Sequence, residues 1–326
     1  MLPLGMVELF PHFSPGPSGL SSLTGRKRKK VWTVQKLTAK KQQLAHSGEG
    51  CDILCINSEG SLSLSLQHLK AHQNEKLEFI SFVSPDCIDS RHSWLDCAEI
   101  YNAGHKQSGY YKMKPLESPS GFSAYCDMSE GGGWTVFQRR SDGSQNFDRD
   151  WAEYEQGFGD FASPDGEYWL GNKNLHYLTS QGNYTLKIDL SDFMDEQRFA
   201  QYENFKVGDE QSSYKMNCGQ YSGTAGDSLT GGFHPEVKWW ANHQGMKFST
   251  KDRDNDNYEE NCAEEDKAGW WFNRCHSANL NGLYYDGPYS AATDNGIVWY
   301  TWHGWWYSLK SVVMKVRPSD FSPNEV

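Results

Sequence analysis

Asn261-Cys262-Ala263-Glu264-Glu265-Asp266, followed two residues later by Gly269-Trp270-Trp271-Phe272-Asn273-Arg274-Cys275-His276, is the stretch that decides the fold. Two cysteines 13 residues apart flank a run of aromatics. A disulfide across a loop this short contributes about 3 kcal/mol in the chain-entropy picture. It would also hold Asp266 and His276 as polar groups in a rigid, aromatic-walled concavity, the general form of a ligand pocket. Just upstream, residues 252–261 read Asp-Arg-Asp-Asn-Asp-Asn-Tyr-Glu-Glu-Asn. Asp252, Asp254 and Asp256 crowd three carboxylates, which repel unless a cation lies between them. Hard oxygen donors in this number suit Ca²⁺. An EF-hand fails in both registers. From Asp252, position 12 is Ala263; from Asp254, position 6 is Glu259, where glycine is required. A different calcium loop is expected, with a solvated acidic turn as the alternative.

Around this stretch the 326-residue chain divides unevenly. Residues 1–86 hold 10 Lys+Arg against 7 Asp+Glu, and residues 87–326 hold 21 against 35. Of 13 tryptophans only Trp32 precedes position 87. The expected boundary lies near Ser84-Pro85, with 87–326 as the folded body and 1–86 as a basic, poorly ordered tail. Residues 14–25 are Ser/Pro/Gly-rich. Arg26-Lys27-Arg28-Lys29-Lys30 reads as a solvated basic run, or less readily as a polyanion patch. Residues 31–46 and 61–80 carry apolar residues at spacings suited to short helices, the second near a heptad, giving a weak coiled-coil stalk. Residues 1–13 lack the basic, apolar and small-residue order of a secretory leader. No apolar run reaches 18 residues, so no membrane-spanning helix is expected. A formal charge of −11 argues against nucleic acid as the partner.

The body reads as short strands with frequent turns. Trp134–Gln138 follows a triple glycine, Tyr184–Leu190 alternates cleanly, and Ser311–Arg317 is stopped by Pro318. Short helices are expected at Leu95–Tyr101, Asp150–Phe158 and Pro235–Ala241. Strands and helices do not alternate regularly, so a mixed α+β, mostly antiparallel architecture fits. The eight cysteines form no C-x₂-C pair, which removes zinc-ribbon and thioredoxin-type readings. Their dispersed, even number points to disulfides and an oxidising compartment. Asn183-Tyr184-Thr185 is an N-glycosylation sequon.

Several stretches together resemble the fibrinogen C-terminal (fibrinogen-related) domain family over roughly residues 87–326. They include Tyr125-Cys126-Asp127-Met128, Gly131-Gly132-Gly133-Trp134-Thr135-Val136, Gln138-Arg139-Arg140, Asp142-Gly143-Ser144 and Glu167-Tyr168-Trp169-Leu170-Gly171-Asn172. Asn261-Cys262-Ala263, Gly269-Trp270-Trp271, Asn279–Tyr285 and Trp305–Lys310 continue the match. The resemblance implies disulfides Cys97–Cys126 and Cys262–Cys275. It also implies a Ca²⁺ site on the side chains of Asp254 and Asp256 and the carbonyls of Tyr258 and Glu260, and a cis peptide at Arg274-Cys275. The family pocket, which takes N-terminal peptide knobs in fibrinogen and acetyl groups in ficolin-type lectins, falls on Glu265, Asp266, Arg274, Cys275, His276 and Asp294. Glu265 stands where fibrinogen has Gln, an added negative charge that favours a cationic ligand. Cys51, Cys55 or Cys87 could join protomers into a homo-oligomer; Cys218 has no assigned partner.

The text at Tyr221–Trp240 and Trp299–Val316 resembles a branch of secreted liver factors linked to hepatocyte growth that also engage an inhibitory T-cell receptor. The expected function is therefore an extracellular, calcium-stabilised ligand of a cell-surface receptor. A ficolin-type lectin for acetylated sugars is the alternative. A hydrolase is remote: His234, His276 and His303 are present, but no Gly-x-Ser-x-Gly or His-Glu-x-x-His occurs. Trp299, Tyr300, Trp302, Trp305 and Trp306 are expected to be mostly core, and segment 197–215 is a looser candidate for receptor contact.

Overall fold

The structure, a computed structural model, describes residues 93–231 and 235–323, and the backbone of four short strands nearer the N-terminus. The protein forms two units, Met1–His92 and Ser93–Val326. In the first, Val7–Leu9 pairs antiparallel with Lys30–Trp32, and Leu54–Ile56 with Leu62–Leu64. The helices expected over 31–46 and 61–80 are thus not helical where the structure describes them. Leu62-Ser63-Leu64 alternates with period two, which suits a strand better than the heptad spacing read across it. Cys51, Cys87, His234 and the basic run up to Lys29 lie outside the described residues, as does the side chain of Cys55.

The second unit is built on a 10-stranded sheet. Its main path runs Met216–Asn217, Gln197–Val207, Tyr184–Ser191, Ser311–Pro318, Trp134–Arg140, Phe122–Asp127 and Gly109–Met113, with every pairing antiparallel. The strand nearest the C-terminus lies in the middle of the sheet, between segments more than a hundred residues away in sequence. The three strands expected from sequence are present with slightly longer ends. Tyr184–Ser191 alternates buried and half-buried residues along its whole length, as a strand packed mainly on one face must. Trp134–Arg140 is buried throughout, so it is covered on both faces. The preceding Gly131, Gly132 and Gly133 take φ of 84°, 70° and 75°, a left-handed run open to glycine without strain.

The three expected helices appear at Cys97–Asn102, Trp151–Gln156 and Pro235–Trp240. A fourth, Asn172–Ser180, goes beyond the sequence reading; it buries Leu175, Leu178 and Thr179. The core is aromatic: Trp169, Trp270, Trp271, Trp299, Tyr154, Phe137 and Phe248 are fully buried. Cys97–Cys126 and Cys262–Cys275 are disulfides, each with Cα atoms 5.4 Å apart. Cys218 is a buried free thiol packed in the core, with Sγ 3.2 Å from Gln244 Oε1. Burial pushes that thiol up to about 12, which leaves it an inert packing group. Among the described residues no helix is long and apolar enough to cross a membrane.

Candidate functional site

The acidic loop is fixed to the body by alternate residues. Asn255 donates to the Phe248 carbonyl at 2.8 Å, and Asn257 donates to Asn273 Oδ1 at 2.9 Å while its backbone N–H reaches the Asn273 carbonyl. Asp252 does not join the other aspartates. Its Oδ1 accepts from the Trp151 N–H at 2.8 Å and from Thr250 Oγ1 at 2.7 Å, which anchors the start of helix Trp151–Gln156. The expected trio of carboxylates is thus a pair. Asp256 accepts from the Tyr258 N–H at 2.9 Å and the Cys262 N–H at 3.0 Å, and its carboxyl lies against that of Asp254. Burial, with the Asp254 charge adding to it, pushes the Asp256 carboxyl up to about 6. Among the described residues the carbonyls of Tyr258 and Glu260 accept no backbone hydrogen bond. Two repelling carboxylates with two open carbonyls form an all-oxygen donor set that fits Ca²⁺.

The pocket lies past the disulfide. Asn261 accepts from the Glu264 N–H and starts the short helix Cys262–Glu265, which ends at Asp266. The cystine brings Cys275 and His276 back against it, and the Arg274–Cys275 peptide is cis. A third segment arrives through Thr293 Oγ1, which donates to the Glu265 carbonyl at 3.0 Å and delivers Asp294. His276 Nε2 lies 3.5 Å from Asp266 Oδ2 and 3.5 Å from Asp294 Oδ2. Asp266 and His276 are each 2% exposed, and Asp294 forms the open edge. Asp266 Oδ2 and both ring nitrogens of His276 have no hydrogen-bond partner. Burial pushes the Asp266 carboxyl up to about 7, against the pull of His276.

Of the other expected pocket residues, Glu265 lies at the rim with its carboxyl against that of Glu260. Arg274 turns outward to Glu259, with Nη2 2.7 Å from Oε2. The aromatic wall is not the one the sequence suggested. Trp270 and Trp271 belong to the core, and Trp271 Nε1 donates to the Tyr214 carbonyl. The rim is made by Trp305, whose Nε1 donates to the His276 carbonyl at 3.2 Å and whose ring stacks with Trp240 at 5.9 Å. Tyr289 donates to the Trp305 carbonyl at 2.7 Å and meets the Trp306 ring. Trp239 is 75% exposed and Trp306 49%. So in the stretch expected to be core, Trp299 is buried, Tyr300, Trp302 and Trp305 are half-buried, and Trp306 faces solvent. The sequence reading gave neither Tyr289 nor Trp240 a place at the pocket; the fold brings both against Trp305, which itself reaches the His276 carbonyl. His303 lies elsewhere, 3.1 Å from Asp192. Asn183 is exposed and immediately precedes strand Tyr184–Ser191, and segment 197–207 is a sheet strand.

This fold and pocket define a fibrinogen-type globular module. Residues 93–319 match the family described as the C-terminal globular domain of the fibrinogen beta and gamma chains, and the protein belongs to that family. It is 72% identical over 239 residues to fibrinogen-like protein 1 of Bos taurus and, equally, of Homo sapiens, spanning 73% of this chain and 77% of either relative. Among solved structures it resembles the fibrinogen-like globe domain of human ANGPTL2, at 44% identity and a TM-score of 0.64, over 69% of this chain and 99% of that one. It also resembles lamprey fibrin D-dimer complexed with the peptide Gly-His-Arg-Pro-amide, at 39% identity and a TM-score of 0.68, over 90% of this chain and 87% of that one.

Proposed function

We propose that this protein is an extracellular, calcium-stiffened binding module that serves as a ligand for a cell-surface receptor, and that its pocket binds without chemistry. The observation that carries the reading is the acidic pocket of Asp266, His276 and Asp294, whose buried polar atoms lack hydrogen-bond partners. Unpaired buried polar groups are unfavourable, each by about 1–3 kcal/mol, so the site is preorganised for something that supplies the missing contacts. Two carboxylates, with Glu265 at the rim, favour a cationic group such as a peptide N-terminal ammonium. The likeness to a fibrin fragment solved with Gly-His-Arg-Pro-amide supports a peptide in this place. The exposed Trp239 and Trp306 give the adjoining surface the aromatic character of a partner contact. Two disulfides agree with secretion. The calcium ligands would be Asp254 and Asp256 with the carbonyls of Tyr258 and Glu260, and the ion would hold the loop that leads into the Cys262–Cys275 clamp. The receptor class is the inhibitory T-cell type that the family branch implies.

The test is binding of a glycine-initiated peptide and its N-acetylated twin. The free amine should bind and the acetylated form should not, and Asp294→Asn should weaken binding by at least about tenfold, the loss expected when one partner of a charge-assisted contact is removed. Equal binding of both peptides would overturn the ammonium reading. Capture on immobilised N-acetylglucosamine with release by acetate would instead favour the lectin. Binding to inhibitory T-cell receptor ectodomains, with and without chelator, tests the receptor.

A further inference from the structure

Three metal-ligating side chains converge in the pocket from segments 10 and 18 residues apart in sequence: Asp266, His276 and Asp294. One ligand atom from each lies within 4.8 Å of the other two, and His276 Nε2 is 3.5 Å from both carboxylates. These separations are too long for good hydrogen bonds. The two 3.5 Å separations from His276 Nε2 lie close to the edge of a coordination tetrahedron, roughly 3.3–3.4 Å when the bonds are about 2.0–2.1 Å. The side chains are also waiting for a partner: Asp266 and His276 are each 2% exposed, and Asp266 Oδ2, His276 Nε2 and His276 Nδ1 make no hydrogen bond.

We propose that Asp266, His276 and Asp294 bind a divalent transition-metal ion, Zn²⁺ foremost, with a fourth coordination position open toward the cleft. An imidazole with two carboxylates is a donor set for zinc, while calcium prefers oxygen alone. Two carboxylates and a neutral imidazole balance the ion's charge in a dry site. Asp294, with its side chain 35% exposed, gives the ion a way in. The site is separate from the calcium loop, whose side-chain donors are Asp254 and Asp256. Metal binding does not depend on the peptide reading, but the two occupants exclude each other, because both need the Asp266 and Asp294 oxygens. Zinc would then act as an antagonist of peptide binding.

The full-length protein, stripped with chelator and resaturated with calcium, is titrated with CoCl₂ and then ZnCl₂. One equivalent of cobalt should bind with the intense visible absorption of a tetrahedral complex, and zinc should displace it. Asp294→Asn, at the open edge, should weaken cobalt binding by at least about tenfold, and so should His276→Ala. Glu117→Gln, at an exposed carboxylate far from the pocket in sequence and outside both donor sets, should leave it unchanged. Circular dichroism confirms that each variant is folded, and Asp294→Asn carries the test if His276→Ala is not. The absence of a tetrahedral cobalt spectrum, or an affinity unmoved by Asp294→Asn, overturns the metal site. A histidine-free, glycine-initiated peptide separates the two readings. If zinc binds and the peptide does not, the metal site stands and the ammonium reading falls. If the peptide binds and neither metal does, only the metal site falls.

Discussion

Glu167 shows why a residue prominent in a family motif need not touch a ligand. It is fully buried, and its carboxylate accepts from Arg140 Nε at 3.3 Å and from the backbone N–H groups of Ser141, Gly143 and Gln145 at 2.9–3.0 Å. Arg140, in turn, donates through Nη1 to the Gly282 carbonyl at 2.6 Å. Burial draws the guanidinium below its usual range, and Glu167 opposes that shift. The pair thus ties the loop after strand Trp134–Arg140 to segment 280–282. Breaking a buried pair by removing one member typically costs about 3–5 kcal/mol, because the other charge is left stranded. Glu167→Ala is therefore expected to lower stability by about that amount in chemical denaturation; a loss below about 1 kcal/mol would show that the network is not what holds the loop. In the sequence Glu167 was visible only as part of a motif. Its role needed the backbone donors of the 141–145 loop, which no spacing rule announces.

At the scale of the element, the acidic loop and the cystine clamp act together. The loop is held mainly by polar contacts, and the carboxylates of Asp254 and Asp256 oppose each other across it. An ion between them would turn repulsion into attraction, and the stabilisation follows from binding to the folded state alone. Calcium is expected to raise the Tm of the protein, with Asp254→Ala abolishing the gain in a thermal scan; an equal gain in the variant would place the ion elsewhere. The clamp was legible in sequence as two cysteines 13 apart, and the family resemblance supplied its pairing. The division of labour among the aspartates was not legible. Asp252, Asp254 and Asp256 look equivalent as text, yet Asp252 is taken by Trp151, 101 residues earlier in the sequence.

At the scale of the whole molecule, the sheet is continuous only because strand Ser311–Pro318 lies between Tyr184–Ser191 and Trp134–Arg140. The wall behind the pocket depends on contacts between segments 28 to 35 residues apart. His243 is fully buried there: Nδ1 lies 2.7 Å from the Trp271 carbonyl, and Nε2 takes the N–H groups of Ser277 and Ala278 at 3.3 and 3.1 Å. Nδ1 must donate and Nε2 must accept, so the ring is held neutral. Burial depresses it to about 3, with the charge of nearby His276 in the same direction and the Trp271 carbonyl opposing. The unfolded protein takes up this proton near pH 6.5 and the folded protein does not. This contribution to stability is therefore complete above pH 6.5 and is lost as pH falls toward 3, by up to about 1.4 kcal/mol per unit. The ring should keep neutral-imidazole NMR shifts at pH 5; titration of His243 near 6.5 would contradict the assignment.

The sequence by itself determined three strands of the central sheet, through alternation and a triple glycine, and the family, through dense motifs; the pairing of the two cystines and the set of pocket residues came with the family resemblance. Tertiary structure alone decided which aromatics are core and which form the rim, which aspartate leaves the loop, and that His276 meets Asp266 and Asp294 with its nitrogens unpaired. The physical reason is that burial and partnership are properties of surfaces brought together from distant parts of the molecule. A tryptophan in the text has the same composition whether it ends up packed, like Trp271, or half in water, like Trp306.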